Sequence, residues 1–586
     1  MKKNPCKLLV IIPPLILGFL VWKYGVSVPF GDEWETPGLS LIKFNLNQIT
    51  WHDLIAQHNE SRMLFPRLLL ISLSGITNWN TKYGMLVSFL LCCLTSFNIY
   101  YLSKITLNTT WGKRLVCLAL ANLLIFSPMQ LDNWLWGLQF ITFIPIAVIT
   151  TSLAIIFSQN SLFLKLLISG ALAIVATFSF ANGMITWIIL FPALILVAKN
   201  NKKSLALVVC YWLFLSSFIL AIYFYNYHKL PNHPSLLDAL FKPVQATAYF
   251  LSFIGSPLGV QDLISSQIVG IFILALIALA GFYLVKVNRS SELFFQTFPW
   301  LSIIFYCLGS GVLTTAGRVG FGVAQSLSSR YITFSTYGIV GLIYLLAIIA
   351  TDLDRQINTS ASKFLKIFSK IISVSMVLLL FLYPANFTLG VNQMIVTQKA
   401  RFYGKACLNL INVIDDVECI KEYVFPPTKL EEDPNNNFLY NTANSLDRIG
   451  LIQPPLILSK NLQDISRDNF EQLQYGVFDD FSIGEDNTYK ASGWSILPKY
   501  KNASHAVILA YQTQDNLDHP FAIVMPNIDR PDIVDATKTR QYLNTGWSKT
   551  FSQDLIPDTA VAVSAWSYDS QIARAYKLEN VYPIDP

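Results

Sequence analysis

The hydrophobicity of the chain varies in long blocks. Apolar runs near the roughly 20 residues that a helix needs to cross a bilayer recur up to about residue 390. The segment 243–258 is apolar but short, and Gly255 and Pro257 interrupt it, so we expect a re-entrant or interfacial helix there. The other runs predict an α-helical polytopic membrane protein with eleven spans, at about 8–26, 84–102, 113–129, 138–158, 163–181, 183–198, 204–225, 266–286, 297–315, 332–351 and 368–389.

Beyond residue 390 the pattern changes. Residues 400–424 favour a helix, a Pro- and Asn-rich passage follows, and short runs of alternating apolar and polar positions continue towards the C-terminus. Such alternation is typical of antiparallel strands, which predicts a sandwich. We therefore predict a transmembrane domain 1–390 with a first outer loop 27–83, a helical and Pro/Asn-rich linker 391–437, and an extracytoplasmic β-sandwich-like domain 438–586.

Lysine and arginine concentrate in alternate loops. With eleven spans these loops share one side, which the positive-inside rule makes the cytoplasm. The N-terminus is then cytoplasmic, its apolar stretch an uncleaved first span, and the C-terminal domain lies outside. The residues on the cytoplasmic side are Lys2, Lys3, Lys7, Lys104, Lys113, Arg114, Lys199, Lys202, Lys203, Lys286, Arg289, Arg355, Lys363, Lys366 and Lys370.

Composition excludes a soluble protein. The 586 residues are 53% hydrophobic and only 13% charged, about half the usual charged fraction. The net charge of +6 is small and gives no reason to expect a nucleic-acid partner. Of eight cysteines, Cys407 and Cys419 alone fall in the exported region, where an oxidising compartment permits a disulfide between them.

The first outer loop contains charged residues close to the hydrocarbon core of the membrane. Such charge is costly and is usually retained for binding or chemistry. Asp32 and Glu33 follow the first span directly, and a second group later in the loop consists of His58, Glu60, Arg62 and Arg67. Two plainer interpretations stay open. Asp32 could begin a short interfacial helix, and His58 and Glu60 could form a surface ion-pair group.

Few other cations lie on the predicted outer face: Lys229, Lys242, Arg318 and Arg330. Arginine forms forked hydrogen bonds to phosphate oxygens, so Arg62, Arg67 and Arg330 together suggest a phosphorylated ligand. Any one of these cations could instead extend to lipid headgroups from a span end.

Further outer segments are rich in residue types that bind sugars, because indole rings stack on sugar faces and amides bond hydroxyls. These candidates are Asp132, Asn133, Trp134, Gln139 and Asn182. An aromatic belt at the membrane interface explains tryptophan equally well, and Asn182 could bond a neighbouring helix. The histidines show no metal-ligand spacing, so we predict no histidine-based metal site.

These features resemble the GT-C membrane glycosyltransferases. The likeness covers roughly residues 1–390 and rests on an acidic pair after span one, a long first outer loop and an exported C-terminal domain. Four stretches carry a closer likeness to bacterial members: His58 to Arg67, Asn133 to Gln139, Ser179 to Gly183, and Ser328 to Tyr331. The last adds Tyr331 to the candidate substrate-binding residues.

The resemblance implies a polyprenyl-phosphate sugar as donor, a glycan or lipid acceptor and a place among the lipids of the bacterial inner (cytoplasmic) membrane. Asp32 matches the catalytic carboxylate, with Glu33 as second choice. Many relatives have two aspartates where this chain has Asp-Glu, which leaves a divalent metal open and no cofactor assigned. Because a sugar phosphate carries a good leaving group, one general base and phosphate-binding cations suffice, which predicts inverting single displacement.

Three rival functions stay open. A polysaccharide polymerase or ligase can rely on arginines without an essential acid. A transporter or flippase of lipid-linked sugars favours charges within the spans near the bilayer midplane. A non-catalytic assembly factor would use the C-terminal domain to recruit a partner.

Overall fold

The structure is a computed structural model and describes residues 6–229, 234–287, 290–359, 363–425, 437–466 and 474–584. Its contacts divide the chain into two compact units. The helical unit comprises Met1–Gly25, Thr50–Leu70 and Lys82–Ile395, and the second unit comprises Val26–Ile49, Ile71–Thr81 and Val396–Pro586. Two parts of the predicted outer loop, 26–49 and 71–81, therefore belong to the second unit.

Most of the described chain is helical. The α-helices are Cys6–Tyr24, Ser40–Asn45, Trp51–Ile55, Leu64–Thr77, Lys82–Thr106, Trp111–Ile125, Leu131–Leu135, Ile144–Ile156, Leu162–Thr177, Ile185–Ala198, Lys202–Phe224, Asp238–Phe241, Pro243–Gly255, Leu263–Phe282, Ser291–Arg318, Ser329–Thr359, Lys363–Asn409, Val417–Tyr423, Asn437–Arg448 and Pro531–Thr537.

Among the described residues nine helical segments are long and apolar enough to cross a membrane, so the chain is a multi-pass membrane protein. They coincide with nine of the eleven predicted spans. The predicted fifth span is the shorter apolar helix Leu162–Thr177. The eleventh lies within the 47-residue helix Lys363–Asn409, several side chains of which fall outside the described residues. The interrupted segment is the 13-residue helix Pro243–Gly255, too short for a full crossing.

A long helical hairpin runs through the core of the helical unit. Ser291–Arg318 and Ser329–Thr359 pack along each other, with the rings of Trp300 and Tyr344 stacked at 4.0 Å between centroids. The turn between them contains Gly322, whose φ of 99° suits only glycine well. Arg318 ends the first helix and Arg330 begins the second, so both arginines lie at the turn end of this hairpin.

The described strands are β1 Gln57–His58, β2 Ser61–Arg62, β3 Gly476–Ile483, β4 Thr488–Leu497, β5 Asn502–Ala503, β6 Ala506–Gln512, β7 Asp518–Val524, β8 Gly546–Ser552, β9 Ala562–Asp569 and β10 Arg574–Pro583. Strands β1 and β2 form a small hairpin in the helical unit. The other eight form one sheet in the order β5-β4-β3-β10-β9-β6-β7, with β8 also paired to β4. The β3–β10 pair is parallel and the remaining pairs are antiparallel.

This sheet curves back over its own core. Strands β7 and β8 are far apart in the strand order, yet the rings of Phe521 and Phe551 are 5.0 Å apart. Phe478 of β3 and Trp547 of β8 join the same buried cluster. The predicted β-rich domain is thus present, and its two packed layers belong to one continuous hydrogen-bonded sheet.

A disulfide joins Cys407 and Cys419 in the second unit, with their Cα atoms 6.2 Å apart. It ties the end of the helix Lys363–Asn409 to the short helix Val417–Tyr423. We expect thiol counting by mass spectrometry on the denatured protein to find two more free thiols after reduction than before. An unchanged count would show that this pair is not oxidised, and a Cys419→Ser variant provides the control.

Candidate functional site

Two of the four sequence stretches, His58 to Arg67 and Ser179 to Gly183, bond to each other at one end of the helical unit. The Ser61 hydroxyl accepts the backbone N–H of Ala181 at 3.0 Å, across 120 residues of chain. The backbone N–H of Phe65 bonds the carbonyl of Phe178 at 3.3 Å. The rings of Phe180 and Phe334 are stacked at 5.8 Å, which connects this pair of stretches to the second helix of the hairpin. We call this region the convergent end.

The other two stretches bond each other where Asn133 meets the start of the helix Ser329–Thr359. The Ser329 hydroxyl donates a short hydrogen bond to the Asp132 carboxylate, and the Asp132 backbone N–H donates to the same hydroxyl at 3.3 Å. The Asn133 amide donates to the Arg330 carbonyl at 3.0 Å and to the Thr333 hydroxyl at 2.6 Å. Asp132 and Asn133 therefore hold the backbone that carries Arg330.

Glu60 places a carboxylate at the convergent end. Its carboxylate forms an ion pair of 2.6 Å with Arg318, and both side chains stay partly exposed. Its carbonyl accepts the hydroxyls of Tyr223 at 2.7 Å and Tyr227 at 3.4 Å. Burial, and then the charge of Glu60, raise the pKa of Tyr227, which keeps this phenol a hydrogen-bond donor.

Arg62 is buried and bonds backbone carbonyls. Its guanidinium donates to the carbonyls of Tyr223 at 2.6 Å, Tyr225 at 2.6 Å and Ile55 at 3.1 Å. These bonds connect the β1–β2 hairpin to the end of the helix Lys202–Phe224. They favour a structural role for Arg62 over the predicted contact with phosphate.

Arg67 has the same kind of surroundings. One of its terminal nitrogens donates to the carbonyls of Leu54 at 3.0 Å and Ala56 at 2.6 Å. Burial lowers the pKa of Arg67 to about 10, while the charge of Asp53 acts in the opposite direction. These contacts hold the loop that contains Leu54 and Ala56 in place, and they favour a structural role for Arg67 over the predicted contact with phosphate.

We expect Arg62→Gln to lower stability by about 3 kcal/mol, because it leaves buried carbonyls without their charged donor. The apparent melting temperature of the detergent-solubilised protein measures this. Arg330→Gln is the matched control and should melt close to the wild type. Equal melting temperatures for wild type and Arg62→Gln would contradict the structural role.

Arg330 differs from these two arginines. Its side chain is half-buried and makes no hydrogen bond or ion pair with any residue that the structure describes. Nearby, the hydroxyl of the fully buried Tyr249 also has no hydrogen-bond partner in the described chain. Burial and then the neighbouring Tyr331 raise the pKa of Tyr249, and the charges of Arg318 and Arg330 oppose that rise. The convergent end thus contains hydrogen-bond donors whose acceptor is absent from the described chain.

Asp32 and Glu33 belong to the second unit. They lie in a single 3₁₀ turn, Gly31–Trp34, which Gly31 opens with a φ of 53°. Glu33 is buried and accepts the backbone N–H of Phe30 at 3.0 Å, so Glu33, rather than Asp32, caps this turn. Trp34 is buried edge-on against Trp79 at 6.3 Å. Asp32 is the more exposed of the two carboxylates.

The solved structures similar to this chain include two of an archaeal oligosaccharyltransferase from Archaeoglobus fulgidus. One is described as a complex with an inhibitory peptide and a dolichol-phosphate, at 14% identity. The other is tethered to an acceptor peptide through a disulfide, at 13% identity. In both, the TM-score is 0.36, and the match covers 82% of this chain and 62% of the other. No family profile and no curated protein matches the chain.

The chain spans about 62% of the length of these structures, and a TM-score of 0.36 indicates a loose likeness. That likeness assigns this chain neither a substrate nor a mechanism. Those have to come from its own residues.

Trp134, which the sequence suggests as a sugar-stacking residue, packs inside the helical unit. Its ring is fully buried, stacked on Phe143 at 4.8 Å, and its indole N–H bonds the carbonyl of Ser127 at 2.9 Å. Gln139 and His58 are buried as well. Asn182 is buried beside Gly183, whose Cα approaches Ala176 so closely that a Cβ would collide with it.

Within the described residues no group of three or more His, Cys, Asp or Glu side chains is arranged to hold a metal ion. No step proposed below uses a metal ion. Sequence reasoning also missed Tyr227 and Tyr249. Tyr249 lies within an apolar run and Tyr227 just beyond one, and neither position gives a signal that the hydroxyl reaches a polar cluster.

Proposed function

We propose that this protein is a membrane glycosyltransferase that moves a sugar from a polyprenyl-phosphate donor to a cell-envelope acceptor on the outer face of the bacterial inner membrane. The convergence of four distant sequence stretches around Arg318 and Arg330 supports this proposal most. Polar residues gather at the ends of membrane helices, where a lipid headgroup lies, and one guanidinium there has no partner in the described chain.

These arginines have a defined chemical role towards the phosphate of the donor. As the bond between sugar and phosphate breaks, negative charge grows on the phosphate oxygens, and fixed cationic donors stabilise it. Arg330 offers a free fork for two oxygens. Arg318 lies at the same turn of the hairpin, and its ion pair with Glu60 at 2.6 Å holds its orientation. Asp132 and Asn133 act through the backbone of Arg330 as positioning residues.

Activation of the acceptor requires one base. The acceptor hydroxyl must lose its proton as it attacks the anomeric carbon, and a carboxylate serves this role. We assign it to Asp32, which is the more exposed of the two carboxylates, whereas Glu33 is buried in the turn Gly31–Trp34 that it caps. A single attack opposite the leaving phosphate inverts the anomeric configuration. The sugar and the acceptor are not specified by these residues.

An assay with a doubly labelled donor tests the proposal. The donor carries one label in the sugar and another in its phosphate, and the purified protein is reconstituted in liposomes with an envelope acceptor fraction. We expect sugar label in the acceptor and an equal amount of free polyprenyl phosphate. A flippase would move intact donor between leaflets, and an assembly factor would leave it unchanged. A polymerase or ligase that has no essential acid would still transfer sugar in a variant with both Asp32 and Glu33 replaced. Any of these three results overturns the proposal.

A further inference from the structure

An apolar surface lies between the helices Lys202–Phe224 and Pro243–Gly255. Its side chains are large, close together in sequence and 54% to 80% exposed. Four of them recur at helical spacing in or just before the four-residue helix Asp238–Phe241, and the fifth lies at the start of the next helix, Pro243–Gly255. We call this surface the apolar stripe, and its members are Leu236, Leu237, Leu240, Phe241 and Val244.

An apolar surface of this kind is expected to contact something other than water, which we call its cover. Contiguous apolar side chains at such exposure mark a contact with a protein, a ligand or a membrane. The stripe is too short to span a bilayer, and the helix that follows it, Pro243–Gly255, is also too short. The cover must therefore lie at the end of the bundle, beside the places where complete spans end.

The neighbours of the stripe identify the cover as lipid. Phe224 and Tyr225, at the end of one candidate span, and Ile264, at the start of the next, are exposed and apolar in the same way. The stripe thus continues the lipid-facing surface of the spans. Lys229 precedes the stripe and Lys242 lies within it, between Phe241 and Val244. Both lysines are exposed, and their long side chains can extend to lipid phosphates while the stripe faces the acyl chains.

We propose that residues 236–244 lie in the membrane interface, with the apolar stripe inserted among the acyl chains of one leaflet. The occupant is the bilayer itself. This insertion bears on the convergent end, because the helix Asp238–Phe241 packs against Val319–Phe321, the turn that follows Arg318. Gly320 lies so close to Pro234 and Asp238 that a Cβ would collide with them. Lipid contact at the stripe therefore sets the depth of the arginine-bearing turn.

Spin labels on the complete protein in nanodiscs test the insertion. Phe241→Cys is labelled after replacement of the cysteines outside the disulfide, and collision rates are measured with oxygen, which concentrates in hydrocarbon, and with a water-soluble nickel chelate. Phe214→Cys is the matched lipid control, because Phe214 is 72% exposed in the middle of a span and Phe241 is 78% exposed. Gln514→Cys, in an exposed turn of the second unit, is the water control.

We expect the label at position 241 to favour oxygen over nickel, as at position 214, and the order to reverse at position 514. Adding Leu240→Glu should move the label at 241 towards the aqueous value. A label at 241 that behaves like position 514 would overturn the proposal. So would low rates with both reagents, which indicate a protein cover, or spin–spin broadening, which indicates a second copy.

A second experiment, on donor kinetics, rests on the proposed function. If the stripe sets the depth of the turn, Leu240→Glu should raise the KM for a donor with a long isoprenoid chain more than the KM for a short-chain donor. Equal changes would deny the stripe this influence on the arginines. The spin-label result does not depend on activity, so failure of the insertion is distinguishable from failure of the proposed function.

Discussion

Asp32→Asn is expected to reduce sugar transfer at saturating donor by about 10²- to 10⁴-fold, the usual contribution of a general base. The amide keeps the size and shape of the carboxylate but cannot accept the proton of the acceptor hydroxyl. Donor binding should stay unchanged, because the proton moves only in the chemical step. Single-turnover transfer rates and donor dissociation constants on the same preparation measure both effects.

Glu33→Gln is the matched control for Asp32→Asn. Its amide oxygen can still accept the backbone N–H of Phe30, so the turn Gly31–Trp34 should survive. We expect a much smaller loss of transfer than for Asp32→Asn. The opposite order would move the base to Glu33. Near-normal transfer in both variants would show that neither Asp32 nor Glu33 is the base, and it would favour a polymerase or ligase.

Arg330→Gln is expected to reduce kcat/KM for the donor by about 10²- to 10³-fold, the effect of removing one charge-stabilising donor. Because the Arg330 side chain makes no hydrogen bond or ion pair with any residue that the structure describes, the substitution removes no observed internal bond of that kind. The apparent melting temperature should therefore stay near that of the wild type. Arg330→Lys should recover only part of the loss, since an ammonium cannot form the same fork with two oxygens.

The contrast with Arg62→Gln makes this prediction specific. Arg62 bonds the carbonyls of Tyr223 and Tyr225, so its loss should appear in stability, whereas the loss at Arg330 should appear in donor use. A variant at 330 that melts early and binds donor normally would assign Arg330 to the structure. A variant at 330 with unchanged kinetics would exclude it from phosphate binding.

The spans were predictable because their length and hydropathy are set by the bilayer, and nine appear in the described chain where expected. The interruption at Gly255 and Pro257 also correctly indicated that the helix Pro243–Gly255 is short. The strands after residue 475 followed from alternation. Their order did not, because the parallel β3–β10 pair joins segments about a hundred residues apart.

The site was only partly predictable. Residue type identified Arg62, Arg67 and Arg330 alike as phosphate ligands. Only the fold shows that carbonyls bond the first two and that no described residue bonds the third. Trp134 shows the same limit, since the sequence does not distinguish a ring facing a ligand from one stacked on Phe143. The pairing of Asp132 with Ser329, across 197 residues, could not be inferred from spacing.

Photocrosslinking of the donor tests most directly whether the lipid phosphate binds at the convergent end. A polyprenyl-phosphate sugar analogue with a photoreactive group beside the phosphate is bound to the reconstituted protein, and the labelled peptides are mapped by mass spectrometry. We predict label on the peptides that contain Arg318 and Arg330, lost with excess unlabelled donor. Label confined to the peptides that contain Glu292 and Asp352, at the other end of the same hairpin, would contradict the account.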